Sequence, residues 1–229
     1  MCGRYRLTAK ERYLRDHFGL DEDPTWAPRW NIAPTQLVPI IRQETAKRSF
    51  GFVRWGLIPS WAKDRSIAGK TINAMSETAE KPAFRDALRL RRCLIPADGF
   101  YEWQSSGRQK QPFNIGMAND SVFAFAGLWE SWLDPNGGVI VSCTILTTKP
   151  NALVADVHTR MPVILGPDDY GAWLDPGTQN PAMVSDFLKP FDPDLMKKYP
   201  VSTRVNSPLN DDSGCAQEVS TPVAQAALF

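Results

Sequence analysis

The order of apolar and polar residues along the chain predicts many short β-strands. Apolar or alternating runs of strand length occur at residues 36–43, 49–55, 93–96, 100–104, 111–117, 122–129, 139–147 and 161–165. Turn-forming residues at 105–107 and 136–138 join neighbouring runs as hairpins. Pro39 has no backbone N–H to donate, so the first run is expected at the edge of a sheet.

Helical spacing is confined to a few short segments. Thr8 and Glu11 have the spacing of a capping box. Leu14 and Phe18 then share one face and Gly19 ends the run, which predicts a helix of about ten residues. We also expect helices over 83–90 and 150–157, a helix starting at Asn180 and Pro181, a loop over 56–70, and a tail after Asn206 that wraps the surface or frays.

The composition is that of an ordinary globular protein, since 43% of the 229 residues are hydrophobic and 22% are charged. Strand runs interleaved with isolated helices, without a linker or repeat, favour one α+β domain over residues 1–229, built on antiparallel sheet. The 26 Lys and Arg nearly cancel the 25 Asp and Glu, which excludes a polybasic protein. Cations concentrate in residues 1–110, which suits either a polyanionic partner or two oppositely charged faces of one domain.

Neither an export signal nor a metal site is expected. Charged residues interrupt the first 30 positions, and no apolar run approaches the roughly 18 residues that span a bilayer. The cysteines and histidines are widely spaced, at Cys2, Cys93, Cys143, Cys215, His17 and His158. This spacing, with the lack of a long apolar run, predicts a reduced, cytoplasmic protein without a metal, a cofactor or a membrane segment. A monomer is the default expectation.

Cys2 carries the most informative chemistry in the sequence. Its small side chain permits removal of Met1 by methionine aminopeptidase, which would leave an amine and a thiol on adjacent carbons. Because the pKa of an α-amine is about 8, part of it is neutral near pH 7 and able to form an imine with an aldehyde. The thiol can then close a thiazolidine ring in an intramolecular step. The alternative is a cysteine at this position by chance.

Three further residues are candidates for acid–base or positioning roles. Glu102 lies between Tyr101 and Trp103, where burial would raise a carboxyl pKa, unless strand alternation turns it outward. His158 precedes a predicted strand, a common position for a catalytic group, although a lone histidine also serves structural roles. Asn73 is suited to orient a nucleophile through its amide or to cap a helix.

Aromatic residues interleave with cations in a way that suits single-stranded nucleic acid, although most tryptophans are expected in the core. The residues concerned are Trp55, Trp61, Phe84 and Trp103, with Arg4, Arg54, Lys63, Arg85 and Arg91. Arg4 lies two residues from Cys2, where it suits a phosphate-bearing aldehyde or a plain surface position.

A set of motifs occurs in a fixed order along residues 2–206. They are Cys2-Gly-Arg4, Trp30-Asn-Ile-Ala-Pro34, Trp55-Gly-Leu-Ile-Pro-Ser-Trp61, Ile72-Asn-Ala-x-x-Glu-Thr78, Arg92-Cys-Leu-Ile-Pro-Ala-Asp-Gly-Phe-Tyr-Glu-Trp103 and His158-x-Arg-Met-Pro162, followed by Val205-Asn206. Together they resemble the SRAP (SOS response-associated peptidase) family, whose members process abasic sites in DNA. The resemblance implies a single α+β domain with a curved, barrel-like antiparallel β core, peripheral helices, a tail over about 207–229 and a basic groove for single-stranded DNA.

The resemblance also implies a chemistry. Cys2, freed by loss of Met1, would capture the aldehyde of an abasic deoxyribose as a thiazolidine crosslink that protects the lesion during the SOS response. Asn73 would position the Cys2 backbone and amine, Glu102 would shuttle protons, and His158 would stabilise the opened sugar and assist elimination. Crosslink reversal, AP-lyase-like cleavage and autoproteolytic exposure of the cysteine are associated activities. Implied surroundings are a bacterial nucleoid or a eukaryotic nucleus, with replication-fork proteins as partners that the sequence does not identify.

DNA contacts carried over from the family pattern, together with one basic candidate on the predicted helix, are Arg4, Pro34, Trp61, Arg85, Trp103 and Arg160. One position departs from the pattern, because many members have Arg where this chain has Met75. Loss of that cation should weaken DNA binding by about one phosphate's share, which Arg85 or Arg91 would offset.

Two other classes of function remain open at this point. In the first, Cys2 is the acyl nucleophile of an amidohydrolase or cysteine peptidase with His158 as its base. In the second, the protein binds nucleic acid without catalysis, and Cys2→Ala leaves DNA association unchanged. Only aldehyde capture requires both the amine and the thiol, so Cys2→Ser would still form an imine but could not close the ring.

Overall fold

Short strands carry most of the regular structure in residues 2–106 and 109–220, the part of the chain that this computed structural model describes. In chain order the elements are β1 (Tyr5–Leu7), α1 (Glu11–Phe18), β2 (Arg29–Ile32), β3 (Leu37–Glu44), β4 (Lys47–Trp55), β5 (Asn73–Met75), α2 (Arg85–Leu90), β6 (Arg92–Ala97), β7 (Gly99–Ser106), β8 (Gln109–Met117), β9 (Phe123–Leu133), β10 (Val139–Thr148), β11 (Met161–Pro162), β12 (Ile164–Leu165), α3 (Tyr170–Leu174), α4 (Pro181–Val184) and β13 (Met196–Pro200).

Five of the strands close into a barrel. β3 pairs with β4 and β6, β9 pairs with β6 and β10, and β10 returns to β4. The α+β prediction with a barrel-like core and peripheral helices is therefore confirmed. The core is not purely antiparallel, because β10 runs parallel to both β4 and β5.

Aromatic side chains fill the core next to β1. The ring of Tyr5 meets those of Trp55 and Phe125 edge-on, with centroids 5.4 and 5.7 Å apart, and all three side chains are fully buried. Such pairs contribute about 0.5–1.5 kcal/mol each beyond the area they bury. They fix β1, and with it the start of the chain, against the barrel.

A second sheet has the strand order β13-β8-β7-β1-β2. Its middle strands bring the start of the chain beside β7, because Tyr5 pairs with Phe100 and the N–H of Tyr101 donates to the Arg4 carbonyl at 2.9 Å. The same antiparallel register carried two residues beyond Tyr5 sets Gly3 opposite Glu102. Topology therefore joins two parts of the sequence that lie about a hundred residues apart.

The first helix forms where expected, but its cap differs. α1 ends at Gly19, which has the left-handed φ of 63° that glycine tolerates. Thr8 is not the cap, because its backbone N–H and its hydroxyl donate to Asp98 Oδ2 at 2.5 and 2.7 Å. The capping-box prediction is therefore wrong: a buried carboxylate takes the hydroxyl that would have capped the helix.

The prediction of an edge strand at Pro39 is also wrong, because β3 lies between β4 and β6. The pairing of β3 with β6 is Ile41 with Leu94. The described pairing of β3 with β6 does not include Pro39, which pairs with Phe52 of β4 instead. The missing N–H of Pro39 therefore removes no hydrogen bond of the pairing with β6.

Most other strand predictions are confirmed to within a few residues, and the remaining differences are local. The run over 161–165 divides into β11 and β12 at Val163, whose N–H donates to Leu146. Where a helix was expected over 150–157, residues 152–157 form consecutive turns. The turn at 136–138 forms with positive φ at both glycines, and the other predicted turn includes residue 107, outside the described residues.

The helices and the tail complete the comparison. The helix predicted over 83–90 begins two residues later as α2, and the Asn180 side chain caps α4 as expected, accepting from Ala182 N–H. The tail wraps the surface up to residue 220: Asp211 accepts from the N–H groups of Trp30 and Asn31 at 2.6 and 2.9 Å. Within the described ranges, every helix is too short or too polar to cross a membrane.

Candidate active site

Cys2 lies fully buried just before β1. Asn73, the first residue of β5, donates from Nδ2 to the Cys2 carbonyl at 2.9 Å. Its Oδ1 is buried and accepts no hydrogen bond within residues 2–106 and 109–220. β5 reaches this position because it pairs with Ile145 and its neighbours on β10, so the barrel holds the amide that fixes Cys2.

Glu102 is buried on β7, with 3% of its surface exposed. Tyr101 and Trp103 contribute to a separate apolar cluster with Val201 and Val205. A second layer therefore covers the Tyr101 side of β7. Because Glu102 itself is also buried, the solvent-facing alternative for Glu102 is excluded. Burial raises the pKa of this carboxyl to about 7, so both of its protonation states are populated near neutral pH.

His158 follows the turns over 152–157, and its ring contacts the backbone of Arg160. His158 Nδ1 lies 3.0 Å from the backbone nitrogen of Arg160 and 3.1 Å from its carbonyl oxygen, so it accepts from the first or donates to the second according to the tautomer of the ring. Nε2 lies 4.0 Å from Glu102 Oε2. Burial lowers the pKa of His158, so the neutral ring predominates at pH 7.

The preceding turns are anchored to the second sheet. Lys198 of β13 forms an ion pair with Asp156 and donates to the Leu153 carbonyl at 2.8 Å. Gln104 of β7 donates to the Asp156 carbonyl at 3.0 Å. These contacts hold the segment that carries His158 against the strand that carries Glu102.

The Cys2 thiol is held in its protonated form. Burial raises its pKa, and the charge of Glu102 raises it further. Its S–H contacts the Arg4 carbonyl at 3.9 Å. Nucleophilic cysteines of peptidases have a lowered pKa and a basic partner. The pKa of the Cys2 thiol is raised instead, so this thiol needs a proton acceptor at the moment it reacts.

An open cleft of about 530 Å³ lies next to Glu102 and His158. Its lining residues are Glu102, Trp103, Ser105, Lys110, His158 and Asn206. Glu102 and His158 therefore line a cleft open to solvent, while Cys2 is covered. Within the described ranges, no group of three His, Cys, Asp or Glu side chains has an arrangement that could hold a metal ion.

Arg4 and Trp103 form one wall beside the cleft. The Arg4 guanidinium lies 5.9 Å from the centre of the Trp103 ring and donates to Asn31 Oδ1 and the Val205 carbonyl, at 2.9 and 2.7 Å. The Trp103 indole N–H donates to Asn206 Oδ1 at 2.7 Å. Two of the expected DNA-contact residues are thus brought together at the cleft.

Arg160 lies near His158, but its guanidinium already has partners. It makes two hydrogen bonds to Glu77, at 2.7 and 2.9 Å, and a third to the Thr147 carbonyl at 2.6 Å. The arginine holds the pKa of Glu77 down at about 2. Met75 pairs with Thr147 on β10 and is 40% exposed, so it borders the same group.

The remaining residues expected to contact DNA lie apart from Glu102 and His158. Trp61 is 59% exposed and its indole N–H donates to the Pro82 carbonyl at 3.3 Å. Arg85 lies at the start of α2 beside Asp86, and Pro34 occupies a turn before Thr35. Within the described residues 2–106 and 109–220, these three side chains make no hydrogen bond or ion pair with the four candidate catalytic residues.

Sequence reasoning missed Lys110 as a residue of the cleft. Lys110 lies on β8 opposite Ser105 of β7. Hairpin pairing of the two predicted strands was the signal that could have placed it near Glu102. The other proposed compensating cation, Arg91, is bound to Glu130 at 2.6 Å.

Comparison with known proteins agrees with this architecture. The model of the SOS response associated peptidase (SRAP) family matches residues 1–208. The abasic site processing protein YoqW of Bacillus subtilis is 44% identical over 216 residues, 92% of this chain and 96% of that protein. The abasic site processing protein HMCES of Xenopus tropicalis is 30% identical over 262 residues, 94% of this chain and 77% of that protein.

Solved structures share the fold. A crystal structure of a Bacteroides thetaiotaomicron protein has a TM-score of 0.86 and 28% identity, covering 95% of this chain and all of that chain. A phage-related protein of Bordetella bronchiseptica has a TM-score of 0.69 and 27% identity, covering 87% of this chain and 94% of that chain. The resemblance carried by the ordered motifs is confirmed: the chain belongs to the SRAP family.

Proposed function

We propose that this protein processes abasic sites in single-stranded DNA by forming a covalent crosslink through Cys2. The observation that carries the proposal is the buried group of Cys2, Asn73 and Glu102, in which one amide fixes the cysteine and one carboxyl titrates near neutral pH. The names of the relatives, which are abasic site processing proteins, support the same substrate class.

The reaction begins after Met1 is removed, by an aminopeptidase or by self-cleavage. The Cys2 amine adds to the C1′ aldehyde of the ring-opened sugar and gives a carbinolamine. Loss of water forms an imine. The Cys2 sulfur then adds to the imine carbon while its proton passes through a base to the nitrogen, which closes the thiazolidine. One aldehyde and one aminothiol thus give one ring and one water.

Glu102 is suited to the proton transfers of this sequence. Its pKa of about 7 lets the acid form protonate the departing hydroxyl and the carboxylate form accept the thiol proton. Because burial keeps the thiol neutral, ring closure depends on such a base. Asn73 Oδ1, buried and without a described donor, is available to accept from the new α-amine of Cys2.

His158 acts on the sugar in this proposal. The neutral ring carries its proton on Nε2 in this reaction, on the side of Glu102, and donates it to the hydroxyl released when the sugar opens. The same groups run crosslink reversal by adding water back to the imine. Elimination of the 3′ phosphate from that imine would be the lyase-like side reaction.

A cysteine hydrolase fits this geometry poorly. That mechanism needs a thiolate next to a basic imidazole. Here burial raises the pKa of the thiol, and the two ring nitrogens of His158 are directed to Arg160 and to the side of Glu102. These observations favour aldehyde capture over acyl transfer.

The test mixes the protein with single-stranded DNA carrying one abasic site and resolves the products on a denaturing gel. A heat-stable shifted band is expected for the wild type and absent for Cys2→Ala. Cys2→Ser should give a band only when borohydride is present, because it keeps the amine and lacks the thiol. Cys215→Ser, which alters a buried cysteine of the tail, should match the wild type.

The substrate provides a second control. A tetrahydrofuran analogue of the abasic site has no aldehyde and should bind without crosslinking. A wild-type protein that has lost Met1 but gives no Cys2-dependent band with the aldehydic site at any pH between about 6 and 8, a range reaching up to the amine pKa, would contradict the proposal.

A further inference from the structure

Lys110 is a cation of the cleft to which neither the motifs nor the relatives' names assign a role. It projects from β8 opposite Ser105 and lines the cleft together with Glu102 and His158. Its side chain is exposed, and its charge adds to the effect of burial in lowering the pKa of His158. Lys110 therefore acts electrostatically on His158 from the solvent side.

The other cations around the cleft are already engaged. Arg4 donates to Asn31 and to a backbone carbonyl, Arg160 is bound to Glu77, and Lys198 is bound to Asp156. Lys110 takes part in no ion pair given by residues 2–106 and 109–220. It is thus the cation of this cleft whose charge is not offset by an internal carboxylate.

We propose that Lys110 binds a phosphate of the DNA strand beside the captured sugar. This inference rests on the proposed function and adds a backbone subsite to it. Every nucleotide brings one negative charge, and the carboxylate of Glu102 at the cleft repels that charge. An unpaired ammonium on the same cleft offsets this repulsion, as a point charge that needs no fixed geometry.

The position of Lys110 also bears on Met75. Family members with Arg at that position would have a cation beside Thr147 and Glu77, where this chain has a thioether. Lys110 supplies a positive charge on the cleft itself, whereas Arg91 is occupied by Glu130. In this proposal Lys110 on β8 is a further compensating cation, besides Arg85 on α2.

The test measures affinity for single-stranded DNA with a tetrahydrofuran site, which cannot crosslink, over a series of salt concentrations. For Lys110→Gln we expect the slope of log affinity against log salt to shrink by roughly 0.7, the share of one single-strand phosphate. Lys110→Arg should restore the wild-type slope. Lys47→Gln is the matched control, because Lys47 lines a different cavity with Asp21 and Glu44.

A second readout follows the histidines by NMR titration. The chain has two, so their signals are readily separated. Lys110→Gln should raise the pKa of His158 and leave that of His17 unchanged. A variant that is merely misfolded would move both, and is identified in this way.

An unchanged salt slope in a folded Lys110→Gln protein, or an equal change in Lys47→Gln, would overturn the phosphate subsite. Crosslinking to the aldehydic site is scored separately. If the wild type forms no crosslink, the proposed function fails, while the salt slope still decides whether Lys110 meets a phosphate.

Discussion

Glu102 is expected to make the folded protein less stable as the pH rises towards neutrality. Burial raises its pKa from 4.5 to about 7, so between these values the folded state holds a proton that the unfolded state has released. Linkage then requires the free energy of unfolding to fall as pH rises through this window and to stay low above it. The stabilising proton is fully present only below about pH 4.5, where both states are protonated.

The size of the effect follows from that separation. Each pKa unit corresponds to about 1.36 kcal/mol, so the interval from 4.5 to about 7 amounts to roughly 3 kcal/mol. Glutamine has nearly the shape of protonated glutamate and cannot ionise. Glu102→Gln should therefore gain about 3 kcal/mol over the wild type between pH 4.5 and pH 8, while losing the proton transfers of the reaction.

Urea unfolding followed by tryptophan fluorescence measures this difference at each pH, since the chain has eight tryptophans. Both proteins are checked by mass for the same N-terminus, and the exposed Glu80→Gln serves as control. The difference between Glu102→Gln and the wild type should grow across the window, and that for Glu80→Gln should stay flat. A difference that is constant with pH, or equal for both variants, would refute the burial argument.

Three further variants test separate parts of the molecule. Asn73→Ala removes a hydrogen bond worth about 1 kcal/mol and should slow crosslinking at least about fivefold, without weakening binding to tetrahydrofuran DNA; an equal loss of binding would contradict a positioning role. Trp61→Ala should weaken single-strand binding by about 1–3 kcal/mol in fluorescence anisotropy and leave the urea midpoint unchanged, and unaltered affinity would remove Trp61 from the DNA contacts. Gly56→Ala should destabilise the fold by more than about 1 kcal/mol, because the new Cβ would lie 2.6 Å from the Ala68 carbonyl oxygen at a φ of 121°; a wild-type urea midpoint would contradict that clash.

Strands long enough to show alternation were predictable from the sequence, and the shortest were not. β3, β4 and β6–β10 contain six to eleven residues each, so their pattern stands out locally. β1, β2 and β5 contain only three or four residues each, which is too short for a period to appear. The position of Asn73 depends on the parallel pairing of β5 with β10, a contact that no local pattern indicates.

The buried site shows a second limit of sequence reasoning. Strand alternation correctly sets Glu102 on the face opposite Tyr101 and Trp103, but alternation alone cannot tell that both faces of β7 are covered. The cover on the Tyr101 side comes from Val201 and Val205, about a hundred residues away. The chemistry of the four central residues made them candidates and the family resemblance gave them their roles, while their burial and the raised carboxyl pKa required the fold.

Long-range polar contacts explain the failed helix cap and decide between the two predicted courses of the tail. The hydroxyl of Thr8 binds Asp98 across the sheet, and the tail is held by Asp211 on the backbone of Trp30 and Asn31. Each replaces a local solution, a helix cap or a frayed end, with a partner far along the chain. A local sequence pattern indicates which local structures are possible. It does not show whether a residue far along the chain offers a better hydrogen-bond partner.

The identity of the covalent adduct is the most direct test of aldehyde capture. We predict an intact mass equal to the protein without Met1 plus the abasic DNA, less one water, and no mass change on borohydride treatment. The N-terminal peptide of the adduct should carry the sugar on Cys2 with a thiol that iodoacetamide cannot alkylate. An adduct that gains two hydrogens from borohydride, retains an alkylatable Cys2 thiol, or maps to another residue would contradict thiazolidine formation.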